Sequence, residues 1–228
     1  MRGQGADSPC NIADSLKQLQ SQIASEVIVE DRFAPLLRIG GVDCSYLDER
    51  IICAVVVLDY ETLEPLEHVH ATREVSFPYI PTFFSFREGA AIIEAFRKLE
   101  VRPDLLMLDG CGIDHPRRAG LASHIGVLLD IPTIGVAKNI LCGTADVPHR
   151  PGETSPLVYQ GEQRGWLLKT TGPSRPIVIS PGHRVSLQSV IDIVEHCLLG
   201  HKLPEPTRCA HTYVNELKRM KKGVLNER

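Results

Sequence analysis

Apolar and polar positions alternate along the chain in two rhythms, and the switches between them mark out its elements. Ile12, Leu16, Leu19 and Ile23 recur at helical spacing, which predicts an amphipathic helix over 11–25. Three runs rich in branched residues follow: RIGGVDCSY (38–46), IICAVVVL (51–58) and EHVHATREV (67–75). Polar turns separate them, so they read as an antiparallel meander. The segment FPYIPTFFSF (77–86) carries prolines that exclude it from a central strand. Gly89, Ile92, Ile93, Phe96 and Leu99 then form the buried stripe of a helix over 85–99. LLML (105–108), a helix over 118–129 and TIGVA (133–137) make a strand–helix–strand parallel unit. LVYQ (157–160) and GWLLKT (165–170) flank a turn at 161–164 as a hairpin, and PIVIS (176–180) is one more strand. Leu187, Val190, Ile191, Val194 and Leu198 mark a helix after SPGHR, and a last helix follows the prolines of LPEPT. The sum is an α/β fold, a mixed central sheet flanked by helices. Such sheets place ligands at the carboxyl ends of their parallel strands.

With 228 residues, the chain fits one domain over 11–222, a flexible N-terminal arm at 1–10 and a tail at 223–228. An apolar share of 43% excludes a disordered chain. No apolar run approaches the roughly 20 residues of a membrane span, and the start MRGQGADSPCNIADS lacks a signal-peptide layout. A cytoplasmic protein without a membrane partner is expected. The seven cysteines are odd in number and scattered, which argues against a disulfide framework or a zinc site. The net charge of −3 shows no bulk basic excess and so gives no sign of a nucleic-acid partner.

Some positions change that picture. Asp43 interrupts one apolar run and Asp109 ends another, and a carboxylate there loses hydration unless something binds it. If strands 38–46 and 105–109 are parallel neighbours, the two side chains meet. Glu88, in the first turn of its helix, tips toward the core. Three carboxylates from three elements suit a hard divalent cation; any one of them alone is more often an ordinary cap or turn acid. Lys138 aims at an anion near the strand ends or extends into solvent. His211 moves protons or contacts a phosphate, or is a solvated helix histidine. In DGCGIDHPRRAG (109–120), Gly110 and Gly112 permit close backbone approach, and Arg117 with Arg118 beside a helix start form an anion site or a plain surface turn. SPGHR, with Gly182, His183 and Arg184, has the same form. PYIP (78–81) is stiff, and Tyr79 is either an outward wedge that unstacks bases or a core tyrosine.

Taken in order, GVDCSY, FPYIPTFFSFRE, LMLDGCGIDHPRRAGLASHIGVLLDIPTIGVAKN, SPGHRVSL and LPEPTRCAH resemble the endonuclease V family, across 38–217. The resemblance implies a ribonuclease H-like fold. It also implies a repair endonuclease, requiring Mg²⁺ with Mn²⁺ as a substitute, that acts as a monomer on DNA containing deaminated bases, above all deoxyinosine. The implied cut falls at the second phosphodiester bond 3′ to the lesion and leaves a 3′-hydroxyl and a 5′-phosphate. Asp43, Asp109 and Glu88 resemble the family's metal-binding acids, and Lys138 and His211 its further catalytic positions. Pro78, Tyr79, Ile80 and Pro81 match its wedge. Phe84, Gly110, Gly112, His115, Arg117, Arg118, Gly135, Gly182 and His183 are the residues expected at the lesion pocket and its phosphates. Two departures from the family pattern stand out. Thr82-Phe83-Phe84 replaces a small residue and leucine, and Cys111 replaces a polar residue between the glycines. An endoribonuclease acting on inosine in RNA would use the same acids. A non-catalytic binding protein on this scaffold would have lost them. Placement of Arg117, Arg118, Lys138 and Arg184 on one face would make it locally positive in a slightly acidic chain.

Overall fold

The computed structural model describes residues 9–226; residues 1–8 and 227–228, within the expected arm and tail, lie outside the described residues. The elements run α1 (Pro9–Glu26), β1 (Arg38–Leu47), β2 (Arg50–Asp59), β3 (Pro65–Glu74), α2 (Phe84–Arg97), β4 (Leu105–Asp109), α3 (Leu121–Leu129), β5 (Thr133–Ala137), β6 (Thr154–Tyr159), β7 (Glu162–Leu168), β8 (Ile177–His183), α4 (Leu187–His196) and α5 (Glu205–Asn226). The strands form one sheet in the order β3-β2-β1-β4-β5-β8-β7-β6. The meander β3-β2-β1 is antiparallel, β1, β4 and β5 are parallel, and β8, β7 and β6 return antiparallel.

Alternation along β1 and β4 assigns their two faces. Val42, Leu106 and Leu108 pack with Ile92 of α2 and Ile125 of α3 on one side. Ile39 and Met107 pack with Val190 and Val194 of α4 and Ala210 of α5 on the other. β1 and β4 run in register with Val42 opposite Leu108. One step further along, Asp43 and Asp109 therefore stand side by side, on the α5 face.

Three local expectations are corrected. The helix expected over 118–129 begins at Leu121, because residues 115–120 fold as a turn: Arg118 is left-handed (φ 55°), and a side chain at Gly120 would sit 2.3 Å from the Cys111 carbonyl oxygen. The hairpin turn is two residues long, Gln160 and Gly161, both with positive φ (53° and 79°), the geometry that matches strand twist. Helix α5 starts before the second proline of LPEPT; Pro206 occupies its first turn, where a missing N–H breaks no bond. No helix among the described residues is long and apolar enough to cross a membrane.

Candidate active site

α5 carries His211 onto the carboxylates through one close approach. A Cβ on Gly41 would fall 1.8 Å from the Pro206 carbonyl oxygen, so only glycine lets the first turn of α5 lie on β1. One and a half turns along the helix, His211 Nδ1 reaches Asp43 Oδ2 at 2.7 Å. Asn215 donates to His211 Nε2 at 3.1 Å, a pairing that leaves the Nδ1 proton for Asp43. Lys138, following β5, bonds Asp109 Oδ2 at 2.7 Å. Asp43, Asp109 and His211 each offer a ligand atom within 4.8 Å of the others.

The electrostatics of this group favour a cation. Burial pushes the Asp43 carboxyl up to about 6, and the charge of Asp109 adds to it, while His211 and Lys138 pull the other way. Lys138 is partly desolvated, yet its hydrogen bond to Asp109 and the charges of Asp109 and Asp43 raise its pKa overall. Two carboxylates from adjacent strands, one of them held back from ionising, fit a divalent metal ion, with the imidazole beside them. Glu88 stands outside that group. It is 3% exposed on the α2 side of the sheet, and its Oε1 accepts the Tyr46 hydroxyl at 2.8 Å. Burial raises it to about 8; the Tyr46 bond opposes this and the charges of Asp43 and Asp109 add to it.

A cavity of about 220 Å³ opens beside the acids, lined among others by Tyr79, Pro81, Phe84, Cys111, Gly120 and Leu141. Gly110 and Cys111 of its wall directly follow Asp109. Tyr79 is 68% exposed, which removes the core-tyrosine alternative, and Pro78–Pro81 are all exposed. A larger groove of about 800 Å³ lies elsewhere, between the β1–β2 turn, β3 and α5, and holds none of these residues.

Several expected pocket residues have other partners. The Gly110 N–H donates to the Val136 carbonyl, and the Gly112 N–H donates to Asp114 Oδ1 and Ser180 Oγ, so neither is free for a ligand. Gly135 lets this loop lie on β5: a Cβ there would be 2.4 Å from the Gly112 nitrogen. His115 lines the cavity but is buried, and its Nε2 donates to the Thr82 carbonyl at 2.9 Å. Arg117 is spent on Gln20 and Thr82. Arg118 shares Glu162 Oε2 with the buried Arg164, at 2.9 and 3.0 Å. Gly182 and His183 are not in the pocket. β8 runs antiparallel to β5, so His183 pairs with Thr133 at the far end of the sheet from Asp109, and its Nδ1 accepts the Ile28 N–H. Arg184 lies there too, paired with Asp130. Gly41, Tyr46 and Asn215 are the supporting residues that periodicity missed, since they act through contacts between distant elements.

A mixed sheet with parallel central strands, carrying paired aspartates from adjacent strands, defines a nuclease of the ribonuclease H-like class. The sequence model of the Endonuclease V family matches residues 21–212. An Endonuclease V from Dictyoglomus turgidum is 46% identical over 197 residues, covering 86% of this chain and 86% of the relative. The crystal structure of the Streptomyces avermitilis Endonuclease V superposes with a TM-score of 0.85 at 34% identity, covering 92% of this chain and 94% of that one. The Ciona intestinalis Endonuclease V, solved with a 24mer DNA containing an inosine followed by a ribo-adenosine, matches with a TM-score of 0.80 at 25% identity, over 92% of this chain and 99% of that one. This chain belongs to the Endonuclease V family, a family of endonucleases.

Proposed function

We propose that the chain is a Mg²⁺-dependent repair endonuclease. It recognises deoxyinosine and cuts the second phosphodiester bond on the 3′ side, leaving a 3′-hydroxyl and a 5′-phosphate. The carrying observation is the placement of the Asp43–Asp109–His211 group next to a cavity capped by an exposed, proline-stiffened loop. The inosine-containing DNA bound by the Ciona relative supports the lesion assignment.

Asp43 and Asp109 would hold the metal ion, which when bound supplies positive charge at the phosphate and lowers the pKa of an attacking water. Glu88, held by Tyr46, would complete the site directly or through water. Lys138, held beside Asp109, offers its ammonium to charge growing on the phosphate oxygens. His211, its ring fixed by Asp43 and Asn215, orients the phosphate or passes a proton. Tyr79 and its neighbours fill the gap left in the stack when the base is extruded, and Phe84, Gly110 and Cys111 wall the cavity that takes it. The cavity and the acids are separate subsites joined by residues 109–111, which suits a cut displaced from the lesion. No side chain here is placed as a covalent nucleophile.

The ribo-adenosine beside the inosine in the Ciona structure supports a second reading, cleavage at inosine in RNA. One experiment decides. Duplex and single-stranded DNA, and single-stranded RNA, each carrying inosine, uracil or an abasic site, are incubated with and without Mg²⁺ and the cut is mapped. Cleavage of inosine DNA one nucleotide beyond the lesion, only with metal, is expected. Cleavage of RNA alone selects the second reading; no cut, or base release, overturns both.

A further inference from the structure

We infer that Gln20, on α1, is a positioning residue for lesion recognition. With Arg117 and His115 it forms a latch on Thr82 that sets the wedge loop 77–82. The role rests on the wedge reading above; the latch itself does not.

A wedge must not yield when pressed into a base stack, yet residues 78–81 are exposed and have little core of their own. Pro78 and Pro81 limit the backbone between them, but the anchoring of the loop on the protein has to come from its two ends. At one end Arg87 Nη1 donates to the Phe77 carbonyl, and its guanidinium stacks over Tyr46 at 4.7 Å. At the other end Thr82 has φ +70°, a left-handed conformation that a β-branched residue adopts only when its surroundings impose it. The imposing groups are three. Gln20 Nε2 donates to the Thr82 carbonyl at 2.6 Å, His115 Nε2 donates to the same oxygen at 2.9 Å, and Arg117 Nη2 donates to Thr82 Oγ1 at 2.6 Å. Arg117 Nε also donates to Gln20 Oε1 at 2.6 Å, closing the ring of contacts.

Two details show how firmly the latch is set. His115 Nδ1 accepts the Arg117 N–H, so Nε2 carries the proton it gives to Thr82. Burial pulls its pKa down to about 4, which keeps that neutral tautomer in place near neutral pH. Gln20 is fully buried, and both ends of its amide are used on the latch. It lies one residue before the stretch matched by the family model, on a helix that supplies none of the acids.

The test compares Gln20→Ala and Gln20→Glu with wild type; the glutamate keeps the acceptor for Arg117, loses the donor to Thr82, and serves if the alanine variant does not fold. Amide hydrogen exchange of segment 77–83 in the free protein should quicken about tenfold, the equivalent of one net hydrogen bond, while exchange in α5 stays unchanged. Incision at inosine in duplex DNA should fall by about the same factor, and incision at inosine in a single strand, which has no stack to open, should stay near wild type. Unchanged exchange at 77–83 overturns the latch. Equal losses on both substrates overturn the positioning role and leave a merely structural one. If wild type cuts neither substrate, the proposed function fails, and the exchange measurement still decides the latch.

Discussion

Replacing Glu88 by glutamine tests the electrostatic reading of the acids without touching the paired aspartates. The perturbation is nearly isosteric, and the amide oxygen still accepts the Tyr46 hydroxyl. In the wild type, burial lifts Glu88 from 4.5 to about 8. A raised acid pKa means that folding is opposed by ionisation once pH passes the unfolded value. Below pH 4.5 the penalty is absent; it grows as pH climbs and levels off above the folded pKa. At about 1.4 kcal/mol per unit, the upper bound is about 3 kcal/mol at pH 7 and about 5 kcal/mol above pH 9, before water entry softens it. Denaturant unfolding in EDTA at pH 5, 7 and 9 measures the difference between variant and wild type. Glu88→Gln should be close to wild type at about pH 5 and more stable by at least about 1 kcal/mol at about pH 9. Added Mg²⁺ should stabilise wild type more than the variant, because positive charge at the aspartates favours the ionised glutamate. A stability difference that stays flat across this pH range would refute the reasoning.

Asp43→Asn and Asp109→Asn should each lower metal-dependent incision by about 10³-fold or more with unchanged circular dichroism; near-full activity in both would remove the pair from the chemistry. Gly41→Ala should lower the melting temperature by about 2–12 °C, the effect of about 1–3 kcal/mol of overpacking in a domain of this size. It should also cut activity, since α5 must lift off β1 and take His211 with it; an unchanged melting curve would show that the helix is not seated there. Tyr79→Ala should leave stability within about 0.5 kcal/mol, as for an exposed residue, and weaken binding to inosine duplex about tenfold, the scale of one lost stacking contact, measured by fluorescence anisotropy in Ca²⁺.

Legibility followed the physical range of each signal. The Asp43–Asp109 pair could be anticipated on the condition that the two short apolar runs are parallel neighbours, and the structure places Val42 against Leu108. The apolar stripe of α2 and the run of β5 were equally plain. Failures lie where backbone direction or a distant partner decides. SPGHR looks like a strand-to-helix anion turn, but β8 runs antiparallel to its neighbour, and that carries Gly182 and His183 to the wrong end of the sheet. The glycines of 110–112 suggested free N–H groups, whereas Ser180, Asp114 and Val136 occupy them from other elements. Arg117 looked like a phosphate ligand because nothing in its neighbourhood reveals Gln20, 97 residues away. Glu88 was readable as a buried acid, but its Tyr46 partner was not.

The contact between His211 and Asp43 joins residues 168 positions apart, and it depends on a helix laid down after every strand of the sheet. During synthesis the strands bearing both aspartates leave the ribosome well before α5 does. A nascent chain can therefore build most of its sheet while still lacking the imidazole and the helix that carries it.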